Sequence, residues 1–194
     1  LPDHPLVFAE RRCMEEKRGE YPVKMLVLGG CRSGKSRYAE EWVSVRFREK
    51  VYVATLEDLG DGEMARRIAL HRQSRDKGWR TLEEPLAIGR LLAGHDGSAE
   101  VFLVDCLTMW ITNMLMRDFP DGQIEAEVFG LVRTVEQLAS SVVLVANEVG
   151  LGLVPDTALG RRFRDLAGWT NQQLAQVCPE VVFVAAGLPL RLKG

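Results

Sequence analysis

Five short runs of uninterrupted apolar residues set the architecture of this chain: MLVLG at 25–29, VYVAT at 51–55, VFLVD at 101–105, VVLVA at 142–146 and VVFVA at 181–185. The runs are rich in β-branched side chains, and none alternates apolar with polar residues. A strand that meets water on one face must alternate, whereas a strand covered on both faces need not. Continuous runs of this length therefore predict buried strands of a parallel sheet. Between them lie stretches with helical spacing, at residues 36–45, 63–75, 124–139 and 159–175. Strand and helix alternate, which calls for a doubly wound α/β domain, mostly parallel and flanked by helices. The terminal LPLRLK, residues 188–193, fits an added antiparallel edge strand, where Pro189 is tolerated because an edge needs fewer backbone donors.

The chain divides into a single domain over 25–194 and an N-terminal arm of unassigned role over 1–24, which carries a dense charge run between Glu10 and Glu20. A length of 194 residues suits one such domain with its own core. The formal net charge of −2 excludes a binder that holds nucleic acid through an overall basic surface. No apolar run reaches the roughly 20 residues of a membrane span. Cys13, Cys31, Cys106 and Cys178 are too scattered for a zinc knuckle or a redox dithiol, and three of them lie in apolar or Gly-rich surroundings that suggest small buried side chains. The first residues lack the charged-then-apolar order of a signal peptide, so a reducing, cytoplasmic setting is expected.

Chemistry enters directly after the first strand. GGCRSGKS, comprising Gly29, Gly30, Cys31, Arg32, Ser33, Gly34, Lys35 and Ser36, fits the pattern G-x-x-x-x-G-K-[ST] between a strand and a helix. Its glycines let backbone N–H groups converge on an anion, and the following helix adds its positive end. Lys35 is expected to reach the β- and γ-phosphates, and the Ser36 hydroxyl to ligate Mg²⁺. Asp105, which ends VFLVD, is the expected second acid at the metal, because carboxyl ends of parallel strands gather such groups.

A second cluster lies in MARRIALHRQSR, residues 64–75. Arg67, His71 and Arg75 fall at i, i+4 and i+8 of the expected helix and share one face, where they can present imidazole and guanidinium groups to one triphosphate. Arg66 and Arg72 fit a solvated face. Asn147 and Glu148 follow a buried strand, so they belong at the same sheet edge as the phosphate loop. Glu148 suits either a metal water or hydrogen bonds that brace the loop. Arg161, Arg162 and Arg164 suit a phosphate or a neighbouring subunit, and Thr108, Trp110 and Asn113 suit helix packing and capping. The sequence NEVG stands where a guanine-specific switch carries N-K-x-D, which disfavours such a GTPase.

The blocks GGCRSGKSRYAE, DGEMARRIALHRQSR with WRTLEEP, LVDCLTMWITNML, and NEVGLGLVPDTALGRRFRDLAGWTNQQLA follow one another in a fixed order. In that order they resemble the bifunctional adenosylcobinamide kinase/adenosylcobinamide-phosphate guanylyltransferase family of cobalamin nucleotide-loop assembly. The resemblance covers most of residues 25–194 and implies a RecA-like P-loop domain with Mg²⁺ as cofactor. It implies two reactions. A nucleoside triphosphate such as ATP phosphorylates adenosylcobinamide; GTP then gives GMP to adenosylcobinamide phosphate, by way of a guanylylated histidine, with release of pyrophosphate. It further implies a homotrimer with active sites near subunit boundaries. Where some members carry a His-His pair this chain has Leu70 and His71, so the resemblance leaves His71 as the nucleophile. Asp76 stands where many members have Pro, which bears on the segment before Trp79. Two alternatives compete with this reading: a P-loop kinase of another small alcohol, and a non-catalytic nucleotide-binding regulatory module.

Overall fold

The computed structural model describes residues 22–56 and 78–194. Strand β1 (Lys24–Gly29) leads through the phosphate loop into helix α1 (Lys35–Arg46), followed by β2 (Lys50–Ala54). After β3 (Trp79–Glu83) come α2 (Ile88–Gly94), β4 (Val101–Asp105), α3 (Leu107–Leu115) and α4 (Asp121–Gln137). The chain ends with β5 (Ser141–Asn147), α5 (Ala158–Val177), β6 (Glu180–Ala185) and β7 (Leu188–Lys193). The strands form one seven-stranded sheet in the order β3-β2-β4-β5-β1-β6-β7. Every pairing is parallel except that of β6 with β7. All five apolar runs are strands of this sheet, and LPLRLK is its antiparallel edge.

Burial on both faces explains why those runs are continuous. In β1, Leu26 and Leu28 enter one hydrophobic cluster while Met25 and Val27 enter another. In β4, Phe102 and Val104 divide from Val101 and Leu103 in the same way. The first cluster is covered by α2, α3, α4 and α5, through residues such as Ile88, Trp110, Leu131 and Leu174. The second is covered by α1 through Ala39, Trp42 and Val43. Apolar side chains on both sides of each central strand thus leave no solvated face, and the polar half of the usual alternation has no place.

Three elements, β3, α2 and α3, lie outside the spans assigned from sequence, although helix packing was expected of Thr108, Trp110 and Asn113 in α3. WRTLE forms the edge strand β3, although Arg80 and Glu83 are exposed in it. LTMWITNML forms helix α3 immediately after β4, and seven of its nine residues are buried. The first strand begins at Lys24, and the Lys24 Nζ donates to the carbonyls of Leu138 and Ser140 at 2.7 Å each. The Val23 amide donates to Ser141 Oγ at 3.0 Å. Val23 and Lys24, just before the expected boundary at residue 25, are thus tied to the sheet. The expected helix over 63–75 and most of the arm over 1–24 lie outside the described residues. No helix among the described residues is long and apolar enough to cross a membrane.

Candidate active site

The strand order brings the carboxyl ends of β1, β2, β4 and β5 to one edge of the sheet, because all four run in parallel. In register, Gly29 stands beside Asn147 and Asp105 beside Val145. The phosphate loop crosses this edge between β1 and α1. Arg32 has φ 56° and Gly34 has φ 93°, so the loop turns twice into the left-handed region. For Gly34 a side chain is excluded twice over, because a Cβ there would also sit 3.2 Å from Gly187 Cα. The loop closes on itself: the Ser33 amide donates to Gly30 O at 3.2 Å, and the Tyr38 amide donates to Gly34 O at 2.9 Å. Lys35 is buried along its stem, and its Nζ donates to Gly30 O at 3.2 Å across the mouth of the loop. Cys31 and Arg32 are exposed there, so Cys31 departs from the buried role expected of it.

Asp105 joins this cluster from β4. Its carboxylate accepts from Tyr52 Oη at 3.0 Å. Burial pushes its pKa up, while the nearby Ser36 hydroxyl, the Tyr52 hydrogen bond and the Lys35 charge pull the other way. The next residue is held as well. Thr55 Oγ1 donates to Cys106 O and accepts from the Cys106 amide, both at 2.8 Å. Tyr52 and Thr55, both contributed by β2 or its end, were not foreseen as part of the site. Their role depends on β2 pairing with β4, which no local pattern announces. Burial and the neighbouring Asp105 charge raise the Cys106 thiol to about 11, and burial raises Cys178 to about 12. Neither thiol is ionised near neutral pH, so neither supplies a nucleophile.

The β6–β7 hairpin latches the loop from the other side. The Gly187 amide donates to Ser33 O at 2.7 Å. Where β1 meets β6, Gly29 has no room for a methyl group. A Cβ there would lie 2.5 Å from both Val184 O and Ser33 Oγ. Gly29→Ala is therefore expected to destabilise the protein and distort the loop. Overpacking against a fixed backbone costs about 1–3 kcal/mol. That exceeds the roughly 0.4–1 kcal/mol alanine returns by stiffening the unfolded chain. A fall in Tm of roughly 2–8 °C should result, with weaker triphosphate binding. A variant with unchanged melting and nucleotide affinity contradicts this packing.

Comparison with known proteins bears on what such an edge serves. Residues 25–192 match the model of the cobinamide kinase/cobinamide phosphate guanyltransferase family. The chain belongs to that family. It is 48% identical over 172 residues to a bifunctional adenosylcobalamin biosynthesis protein of Pseudomonas aeruginosa, covering 87% of this chain and 96% of that protein. It is 41% identical over 182 residues to the protein so described from Escherichia coli, covering 87% and 99% respectively. A solved structure from Pyrococcus horikoshii superposes with a TM-score of 0.56 over 93% of this chain and 92% of that one. At 10% identity that likeness shows the fold alone. Family membership makes the chain a cobinamide kinase and cobinamide phosphate guanylyltransferase of cobalamin biosynthesis.

Several residues of this cobinamide kinase/guanyltransferase hold the edge in shape. The Asn147 amide donates to Thr108 Oγ1 at 2.7 Å. Trp110 Nε1 donates to Leu86 O at 2.7 Å, and Asn113 Nδ2 donates to Thr55 O and Pro85 O at 2.7 and 3.0 Å. All three side chains of α3 are buried and structural. The Glu148 amide donates to Gly29 O at 3.1 Å, and its Oε1 accepts from the Gly150 amide at 2.8 Å. Arg161 is spent on Pro155 O and Asp156 O, and Arg162 on Asp121 and Phe119 O. Arg164 pairs with the adjacent Asp165 at 3.0 Å. His95 caps α2, its Nδ1 lying 2.9 Å from Leu91 O. Arg67, His71 and Arg75 lie outside the described residues.

Proposed function

We propose that the chain performs both transfers on a shared triphosphate site. In the first, the terminal hydroxyl of adenosylcobinamide attacks the γ-phosphorus of ATP or another nucleoside triphosphate, and the diphosphate leaves. In the second, His71 attacks the α-phosphorus of GTP and pyrophosphate leaves. The phosphate of adenosylcobinamide phosphate then takes GMP from the histidine and forms adenosylcobinamide-GDP. The observation that carries this reading is the meeting of the phosphate loop with Asp105 inside a family match spanning residues 25–192.

Phosphoryl transfer asks a protein chiefly for positioning and for neutralising charge. Gly29 to Ser36 would cradle the phosphates through backbone amides, with Lys35 on the β- and γ-oxygens. Ser36 and Asp105 would hold Mg²⁺. The Ser36 hydroxyl lies near enough to the Asp105 carboxyl to act on its titration, so two hard oxygen donors stand together at the loop. Among the described residues no group of three or more His, Cys, Asp or Glu could hold a metal alone. That fits Mg²⁺, which takes few protein ligands and fills its shell with phosphate and water. When bound, the ion supplies charge neutralisation across the phosphate oxygens.

Arg67 and Arg75 are proposed to face the triphosphate beside His71. The three cysteines among the described residues are free, which suits the cytoplasm. The proposed homotrimer has apolar surface available for subunit contact in β7, where Leu188, Leu190 and Leu192 are exposed. Incubation with α-labelled GTP tests the reading directly. Acid-labile label retained on the denatured protein is the expected result, and its absence in enzyme that binds GTP removes the covalent step.

A further inference from the structure

The segment 148–157 joins β5 to α5 and starts against the phosphate loop, through the hydrogen bond from the Glu148 amide to Gly29 O. It is held at both ends. Glu148 Oε1 takes the Gly150 amide at 2.8 Å. At the far end Arg161 Nη1 donates to Pro155 O and Asp156 O at 3.0 and 2.8 Å, and Thr157 Oγ1 caps the Gly160 amide at 3.0 Å. A Cβ on Gly160 would meet Pro155 Cβ at 2.7 Å, so the exit from the loop is closely packed.

Between these anchors the apolar side chains face water. Leu151 is 78% exposed, Leu153 96% and Val154 65%, and Leu159 in the first turn of α5 adds 51%. The loop is pinned by five polar contacts, yet its three large apolar side chains remain outside. Apolar residues so concentrated beside a reaction edge mark a surface that something covers.

We propose that this loop is the platform for the corrin ring of the acceptor. This rests on the function proposed above and deepens it by naming the acceptor's docking residues. The reacting hydroxyl lies at the end of a short arm on a broad ring with methyl groups on its rim. If that hydroxyl reaches a γ-phosphate on Lys35, the ring must lie at the carboxyl edge of the sheet. The loop starts there, in contact with Gly29. Both transfers use the same acceptor ring, so one platform serves both reactions.

The experiment uses the full chain with Leu151→Ser and Leu153→Ser combined, and Val154→Ser as a second, milder variant. These side chains are exposed, so the fold should survive their loss. Equilibrium dialysis reads cobinamide binding by corrin absorbance, GTP binding is measured separately, and sedimentation reports assembly. The double variant is expected to raise the Kd for cobinamide at least tenfold, with GTP affinity and sedimentation unchanged, and Val154→Ser to raise it less. Equal cobinamide affinity in wild type and variants overturns the platform while leaving the proposed function standing. A change in sedimentation shows that a second copy of the chain covers the loop, which also overturns it. Wild-type protein that binds GTP but no cobinamide overturns the proposed function itself.

Discussion

Lys35→Ala is expected to lower both activities by at least tenfold, because the proposed mechanism has one ammonium serve both triphosphates. A hydrogen bond to a charged group contributes about 1.5–3 kcal/mol, which corresponds to roughly 10- to 150-fold in a rate or binding constant. The loss should appear in kcat/KM for the kinase and in the rate of adduct formation from GTP. The fold should survive, since among the described residues the Nζ donates only to Gly30 O, and the loop retains its own Ser33–Gly30 and Gly187–Ser33 hydrogen bonds. Lys35→Arg should restore little, because a planar fork cannot occupy the place of a compact ammonium threaded along a buried stem. Kinetic constants for Lys35→Ala equal to those of the wild type detach the phosphate loop from catalysis.

The larger effect is expected at His71. His71→Ala should abolish the covalent GMP adduct and guanylyl transfer, and leave substantial kinase activity. An unperturbed imidazole titrates near ~6.5, and nearby positive charge disfavours its protonated form. Arg67 and Arg75, if they share a helix face with His71 as proposed, would favour a neutral ring with a free lone pair. They also suit the negative charge that accumulates as pyrophosphate departs. A carboxylate in that position would repel the incoming triphosphate. Acidification should slow adduct formation, since the protonated ring has no lone pair, and the kinase step should not share that loss. Mass spectrometry locates the modification: GMP on another residue, or an adduct in the variant, contradicts this assignment.

The central strands were legible because burial on both faces leaves its mark in the residues themselves. Edge strand β3 was not, since Arg80 and Glu83 make WRTLE resemble a loop as readily as a strand. Helix α2 is only seven residues long and contains Gly89 and Gly94, too short and too glycine-rich for a periodic signal. Helix α3 was expected only through the packing of Thr108, Trp110 and Asn113; it is buried nearly all round, which blurs the amphipathic stripe that would mark its bounds. Its boundary with β4 disappears because apolar residues run on both sides of Asp105 and Cys106.

The site divides along the same line. The phosphate loop is contiguous and could be read from eight adjacent residues. The hydrogen bonds from Tyr52 to Asp105, from Thr55 to Cys106 and from Gly187 to Ser33 join residues 51 to 154 positions apart. Nothing in the immediate sequence of Tyr52 or Gly187 signals the partner. Their roles follow from strand order, which local patterning does not encode.

That strand order also governs when the site comes into being. Strand β1 is made well before both of its neighbours in the sheet, since β5 and β6 lie beyond residue 140. The phosphate loop can be written early but not held early, because its last brace comes from Gly187. Such distant pairings close slowly and late. A nascent chain halted before β6 thus carries the whole GGCRSGKS motif without a formed pocket around it. Nucleotide capture is therefore expected only once β6 and β7 have joined the sheet.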